Sequence, residues 1–281
     1  RKKINGESSS IDIFSLLGGS SDENKYEDMI NKQVIDPAIS ITAINTRETF
    51  NGIPLIGSYK VDAEGVSAKD NLPLIKNGVL ITLLNDRIPS QKIRESNAHK
   101  RFNLTKDVLS PSLGPGVIEV TASKTMSKDK MKKQLLSMAK KQSDTYAYII
   151  RKIDANVVGF TDVSSFLLGL TSGSNAVKIA LIYRVSVADG TETLVRMASM
   201  SELTMDNFKE VIAVSSEQQA INMLLNCSSG GVISKLFSAA SSGIPCSFIL
   251  PEAIKLSDIE IKKDKNVILQ KEYITPNPLT E

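Results

Sequence analysis

Side chains that could do chemistry are sparse in this sequence. Its 281 residues include one histidine, His99, and two cysteines, Cys227 and Cys246. Imidazole titrates near neutral pH and offers a lone pair to metals, so a chain with a single His has few ways to build a general base or metal centre by itself. His99 lies in the run Arg94-Glu95-Ser96-Asn97-Ala98-His99-Lys100-Arg101. Charge of that density predicts a surface loop, where His99 either hydrogen-bonds substrate or neighbouring backbone or has no role. In Asp62-Ala63-Glu64, alternate residues of an extended segment share one face, so both carboxylates could position a peptide; the structural alternative is a turn-capping or solvated pair. Cys227 is either a metal ligand or the small buried hydrophobe that a free Cys usually is. Cys246, between Pro245 and Ser247 in an apolar stretch, is expected in the core. Two cysteines are too few for a disulfide framework in a chain this long.

The familiar catalytic patterns are missing. No G-x-x-x-x-G-K phosphate loop occurs, Gly114 and Gly116 do not continue into a dinucleotide fingerprint, and there is no G-x-S-x-G elbow, H-E-x-x-H helix or C-x-x-C pair. Taken alone, the chain shows no complete catalytic or metal constellation, so whether it is an enzyme stays open.

The elements that must position these residues are mostly strands. With 41% apolar, 23% charged and 5% aromatic residues the chain is globular, long enough for a sizeable core in one large or two small domains. A net charge of +3 is too small to argue for nucleic acid, and the lysines between Lys124 and Lys141 read as the solvated face of a helix. No apolar run reaches the ~20 residues of a membrane helix. Residues 1–33 are polar apart from Ile13 to Leu17, which predicts a flexible arm or the remnant of a preceding segment, followed by one domain over 34–281. The first residue is Arg1, as in a processed form or a fragment, and a signal peptide removed earlier is compatible with that. The compartment is open, with the cytoplasm favoured.

From Val34 on, "SITAIN" alternates as a strand does, and Asn77-Gly78 and Asp189-Gly190 each stand between apolar, β-branched runs as hairpin turns do. Further strands are expected at 117–122, 146–151 and 254–262. One helix is expected after Ser127 as N-cap, burying Met131, Leu135 and Met138. A second is expected after Thr204, burying Phe208, Val211 and Ile212, and a third over 232–241. The fold class is α+β: mainly antiparallel sheet with a few packed helices.

Several of these segments together resemble the TldD/PmbA family, known as modulators of DNA gyrase and regarded as metallopeptidases. The resemblance rests on "GIPLIGSYKVDAEGVSAKDNLPLIKNGVLITLLNDR" followed by "ESNAHKR". Within it, Asp62, Glu64 and Gly65 match a D-x-E-G element, Asn77-Gly78 a hairpin, and Ser96, Asn97 and His99 a Ser-Asn/Tyr-x-His segment. "LIYRVSVADGTETLVRMASM", "NCSSGG" and "PCSFILPEAIKLSDIEIKK" continue it, so that residues 34 to 278 are covered.

The resemblance implies curled, barrel-like antiparallel sheets that pair with a homologous subunit, as homo- or heterodimer, around an enclosed cleft for peptides. It makes His99, Asn97, Asp62 and Glu64 candidates for contacting a peptide substrate. In catalytic members an H-E-x-x-x-H helix just before the point where this chain begins, together with a downstream Cys, holds a zinc-type metal. Cys227 falls where that Cys would be, and this chain contains neither His of the motif. One thiolate is not a zinc site, which needs three protein ligands and an open position. The resemblance therefore implies either the C-terminal part of a metal-dependent peptidase acting on peptides or unfolded proteins, with no cofactor of its own, or a non-catalytic partner subunit. No nucleic acid or membrane partner is expected.

Overall fold

The computed structural model describes residues 27–104, 109–153, 177–195, 198–201, 205–225, 243–257 and 259–263. In the first half these form β1 (Ile39–Ala43), β2 (Thr49–Phe50), β3 (Ile53–Pro54), β4 (Leu72–Lys76), β5 (Val79–Leu80), β6 (Lys100–Asn103), β7 (Ser110–Leu113), β8 (Val117–Ala122) and helix α1 (Lys128–Lys141). The second half adds β9 (Tyr146–Ile153), β10 (Val177–Ser186), β11 (Glu192–Val195), β12 (Ala198–Met200), β13 (Val211–Val214), β14 (Gln218–Leu225), β15 (Ile244–Pro251), β16 (Ile254–Leu256) and β17 (Ile261–Lys263).

The main sheet has the order β14-β15-β8-β1-β4-β5. Its pairs are antiparallel except β15 with β8, which run parallel with Phe248 opposite Ile118. In β1 every second residue is buried, Ile39, Ile41 and Ala43, because successive side chains on a strand point to opposite faces. With Leu74, Ile75, Leu80, Ile118, Cys246 and Phe248 they form the principal core. Cys246 is fully buried, as its apolar setting predicts. A second sheet centres on β10, with β9 along one edge and β11 and β12 along the other. The expected α+β, mainly antiparallel class holds. The barrel-like curl expected from the resemblance is not seen among the described residues, where each sheet is an open path of strands.

Both hairpins form. Asn77 and Gly78 take φ of 49° and 78°, the left-handed pair that a two-residue turn between β4 and β5 requires. The loop between β10 and β11 is longer: Gly190 N donates to Ser186 O, Ser186 N donates to Thr191 O, and Gly190 takes the positive φ. Helix α1 begins after Ser127, whose hydroxyl makes no cap; a Glu217 carboxylate oxygen accepts from Lys128 N at 3.4 Å instead. The helix expected after Thr204 is only a 3-10 turn, Met205–Phe208, which gives way to β13. The run Val211-Ile212-Ala213-Val214 is rich in β-branched residues that pack well on a pleated surface, and the Asp36 carboxylate receives Val211 N at 2.9 Å, so the helical spacing is overridden. The single strand expected over 254–262 is two, β16 on β13 and β17 on β12. Of the expected arm, residues 27–33 dock beside β5: Asn31 N donates to Leu80 O, and Gln33 bridges Val79. Residues 232–241 lie outside the described residues.

Gly78 has a second constraint, since a Cβ there would press on the Ile35 carbonyl and on Asp36. Gly78→Ala is expected to lower stability by roughly 1–3 kcal/mol, from strain at positive φ and from the displaced segment. Urea unfolding of the variant checks this; an unchanged midpoint would show that the turn is not held as described.

Candidate functional site

The four described candidates, Asp62, Glu64, Asn97 and His99, converge on one region between the end of β1 and the β6–β7 ribbon. Inward alternation along β1 continues one step past the strand, to Asn45, which is 1% exposed. His99 is completely buried, and the surface loop expected from its charged neighbours is not what forms. Arg94 and Glu95 are exposed, while the imidazole points inward and Lys100 and Arg101 are partly buried. Asn97 Oδ1 accepts from Asn85 N at 2.7 Å and Asn97 Nδ2 donates to Leu83 O at 2.7 Å, so the amide orientation is fixed. His99 Nδ1, 2.8 Å from the same oxygen, therefore carries the proton and donates it. On the other side Asn45 Oδ1 accepts from Val117 N at 3.1 Å, which leaves Asn45 Nδ2 to donate to His99 Nε2 at 3.0 Å. Both ring nitrogens are spent. The imidazole is neutral, and burial, only partly opposed by its hydrogen bond to Asn97, pushes its pKa down to about 4.

Asp62 and Glu64 lie in a turn, not on a strand face. Asp62 Oδ1 accepts from Glu64 N and Val66 N, both at 2.9 Å, while Oδ2 accepts from Lys100 N at 3.3 Å. Glu64 Oε2 accepts from Arg87 N at 2.9 Å. This is the self-capping that Asp favours in tight loops, and it ties the 62–66 turn to β6 and to the loop after Asn85. A partly buried ion pair, Lys100 Nζ to Asp86 Oδ2 at 2.7 Å, closes the same corner.

Sequence reasoning missed Asn45 and Tyr59. Asn45 was findable as the polar residue at an inward position of an otherwise apolar alternation. Tyr59 leaves no such signal: its hydroxyl donates to Ala98 O, and burial pushes its phenol pKa up. Ala98, itself fully buried, is held at φ 66°, a conformation L-residues other than Asn and Asp seldom adopt. Gly116 lets Tyr59 and Asn45 approach, since a Cβ there would collide with both.

The resemblance implies a zinc-type metal. Among the described residues no three His, Cys, Asp or Glu side chains gather to hold a metal, and His99 has no free lone pair. Cys227 lies outside the described residues. What this arrangement can do is hold the 85–98 loop and the β6–β7 ribbon rigidly against the main sheet.

The buried neutral His99 has a pH signature. Its folded pKa is lowered to about 4 from an ordinary 6.5, so between those values the unfolded chain binds the extra proton. The contribution is complete above pH ~6.5 and is lost on acidification, by roughly 3 kcal/mol in total at pH ~4. His99→Gln should remove that part of the slope. Carboxylates titrate at the lower end in both proteins, so the wild type minus variant difference in unfolding free energy between pH 7 and 4.5 is the measurement; a difference independent of pH would refute the buried neutral state.

Two solved structures share the fold. TldE from Thermococcus kodakarensis is 13% identical with a TM-score of 0.55, over 89% of this chain and 46% of that one. A proposed modulator of a DNA gyrase from Thermotoga maritima is 15% identical with a TM-score of 0.51, over 85% of this chain and 42% of the other. The present chain thus spans less than half the length of either protein. No curated protein matches the sequence significantly. A family model does: residues 13–262 match the PmbA/TldA metallopeptidase C-terminal domain, and the chain belongs to that family.

Proposed function

We propose that this chain is the C-terminal domain of a metal-dependent peptidase of the TldD/PmbA type, acting on peptides or unfolded proteins. The supporting observation is the family match over 13–262 in a chain whose only imidazole is locked between Asn45 and Asn97. A peptidase that uses metal-bound water needs three protein ligands and a base. Among the described residues no such ligand set gathers, so in this reading the domain contributes walls and support, while Cys227 is its one candidate ligand for a metal otherwise held outside it. A second reading, a non-catalytic partner subunit, draws on the way Asp62, Glu64, Asn97 and His99 satisfy one another and the backbone. Either role would set the chain beside a homologous subunit, around an enclosed cleft. Among the described residues no helix is long and apolar enough to cross a membrane.

The isolated chain should purify without stoichiometric zinc and cleave no peptide, and Cys227→Ser should change its stability by no more than about 1 kcal/mol, as for a near-isosteric change. One tightly held metal per chain by elemental analysis, lost in Cys227→Ser, would overturn this. In a longer protein carrying the domain, zinc-dependent cleavage of an unfolded substrate, abolished by a chelator, supports the peptidase reading. Co-purification with a homologous subunit and no hydrolysis under any metal supports the second. Self-association is expected at tens of micromolar, roughly the range where pairs held by ~8 kcal/mol assemble, and a clean monomer by light scattering counts against the enclosed cleft.

A further inference from the structure

The ribbon formed by β6 and β7 carries a cation, Arg101, that makes no ion pair among the described residues. Arg101 stacks over the Tyr59 ring at 3.7 Å, and one terminal nitrogen reaches only two carbonyls, Pro245 O at 3.4 Å and Gly57 O at 3.5 Å. No carboxylate lies within ion-pair distance among the described residues, in contrast to Lys100 next to it. Asp62 is near enough to act on Arg101 electrostatically, but its oxygens are committed to the amides of Glu64, Val66 and Lys100. A guanidinium withdrawn from water without a counter-charge costs free energy that folding has to offset elsewhere.

Three buried polar atoms on this ribbon have no partner among the described residues: Arg101 Nε, Asn103 Oδ1 and Ser112 Oγ. They share a face. Arg101 and Asn103 are two residues apart on β6, and Ser112 stands directly opposite Arg101 on β7. Their chemistry is complementary to one kind of group. A guanidinium edge and a hydroxyl donate to a carboxylate, and an amide oxygen accepts an N–H.

We propose that Arg101, Ser112 and Asn103 form a binding site for a carboxylate carried by a peptide, with Arg101 and Ser112 donating to the carboxylate and Asn103 Oδ1 accepting a peptide N–H. Tyr59 holds the guanidinium plane, and its own hydroxyl, engaged with Ala98 O, fixes the ring. The site uses none of the metal chemistry considered above and stands whether the whole protein is a peptidase or a partner subunit.

The test is a titration of the full chain, followed by amide NMR, with three probes: acetyl-Ala-Ala, its C-terminal amide, and acetyl-Asp-Ala amide. The free acid should bind at least about tenfold more tightly than the amide, as a charge-assisted pair predicts. Perturbations should centre on residues 99–103 and 110–114. Equal binding of the acetyl-Asp-Ala amide would assign the carboxylate to an acidic side chain; weaker binding would assign it to a chain terminus; both support the site. Arg101→Gln should abolish the preference for acid over amide and Arg101→Lys restore only part of it, because an ammonium lacks the planar fork. If Arg101→Gln does not fold, Ser112→Ala at the facing position should still weaken the acid about threefold or more without affecting the amide, in line with one lost hydrogen bond. Indistinguishable acid and amide on the wild-type chain, or a preference that survives Arg101→Gln, would overturn the proposal.

Discussion

One buried imidazole organises this domain. His99 joins two asparagines from distant parts of the chain, Asn45 at the end of β1 and Asn97 in the loop before β6, and each asparagine is itself fixed by backbone groups. In low dielectric such a chain of hydrogen bonds holds only while every member is satisfied, because one missing partner strands several polar groups away from water. The loop 85–98, the turn at Asp62 and the β6–β7 ribbon all take their positions from this line. Ala98 is kept in an unfavourable conformation by its neighbours on both sides, the Tyr59 hydroxyl on its carbonyl and the Ser96 hydroxyl on its amide.

The scaffold and the ligand-facing chemistry are therefore separate. Asp62, Glu64, Asn97 and His99 spend polar atoms on the protein itself, whereas Arg101, Asn103 and Ser112, on the adjoining ribbon, each keep a buried polar atom without a partner among the described residues. Burial of a charge without a partner is tolerated only where the surrounding packing is strong enough to enforce it. The close approach of Gly57 and Gly116 supplies that packing beside Arg101, since a Cβ on either would strike the other's carbonyl.

Much of this was legible in the sequence wherever a local rule governs. The Asn77-Gly78 turn follows from the positive φ both residues tolerate, α1 from the spacing of Met131, Leu135 and Met138, and β1 from simple alternation. Local rules failed where tertiary contacts decide. The helical spacing of Phe208, Val211 and Ile212 lost to β-branched preference and to the Asp36 carboxylate, which lies 175 positions away in sequence from the Val211 amide it receives. His99 looked exposed because its sequence neighbours are charged, yet its burial depends on Asn45, 54 positions earlier. No composition or spacing around "NAHKR" encodes that meeting. Arg101 was visible as a charge; that it would make no ion pair among the described residues was not.

The main sheet has a consequence for how the chain is made. Strands β1, β4, β5 and β8 belong to its first half, but β8 receives its second neighbour only when β15 arrives, and β15 begins at Ile244 while β8 ends at Ala122. At ~5–20 residues per second on the ribosome, that separation is roughly ten seconds of synthesis. Throughout it the β8 edge, with Val117 and Ile118 destined for the core, presents unpaired amides and carbonyls to any other nascent strand. Late, non-local pairing of this kind also slows folding after release. The domain is thus most vulnerable to aggregation before β15 exists, and helpers that cover strand edges during translation would act on β8 first.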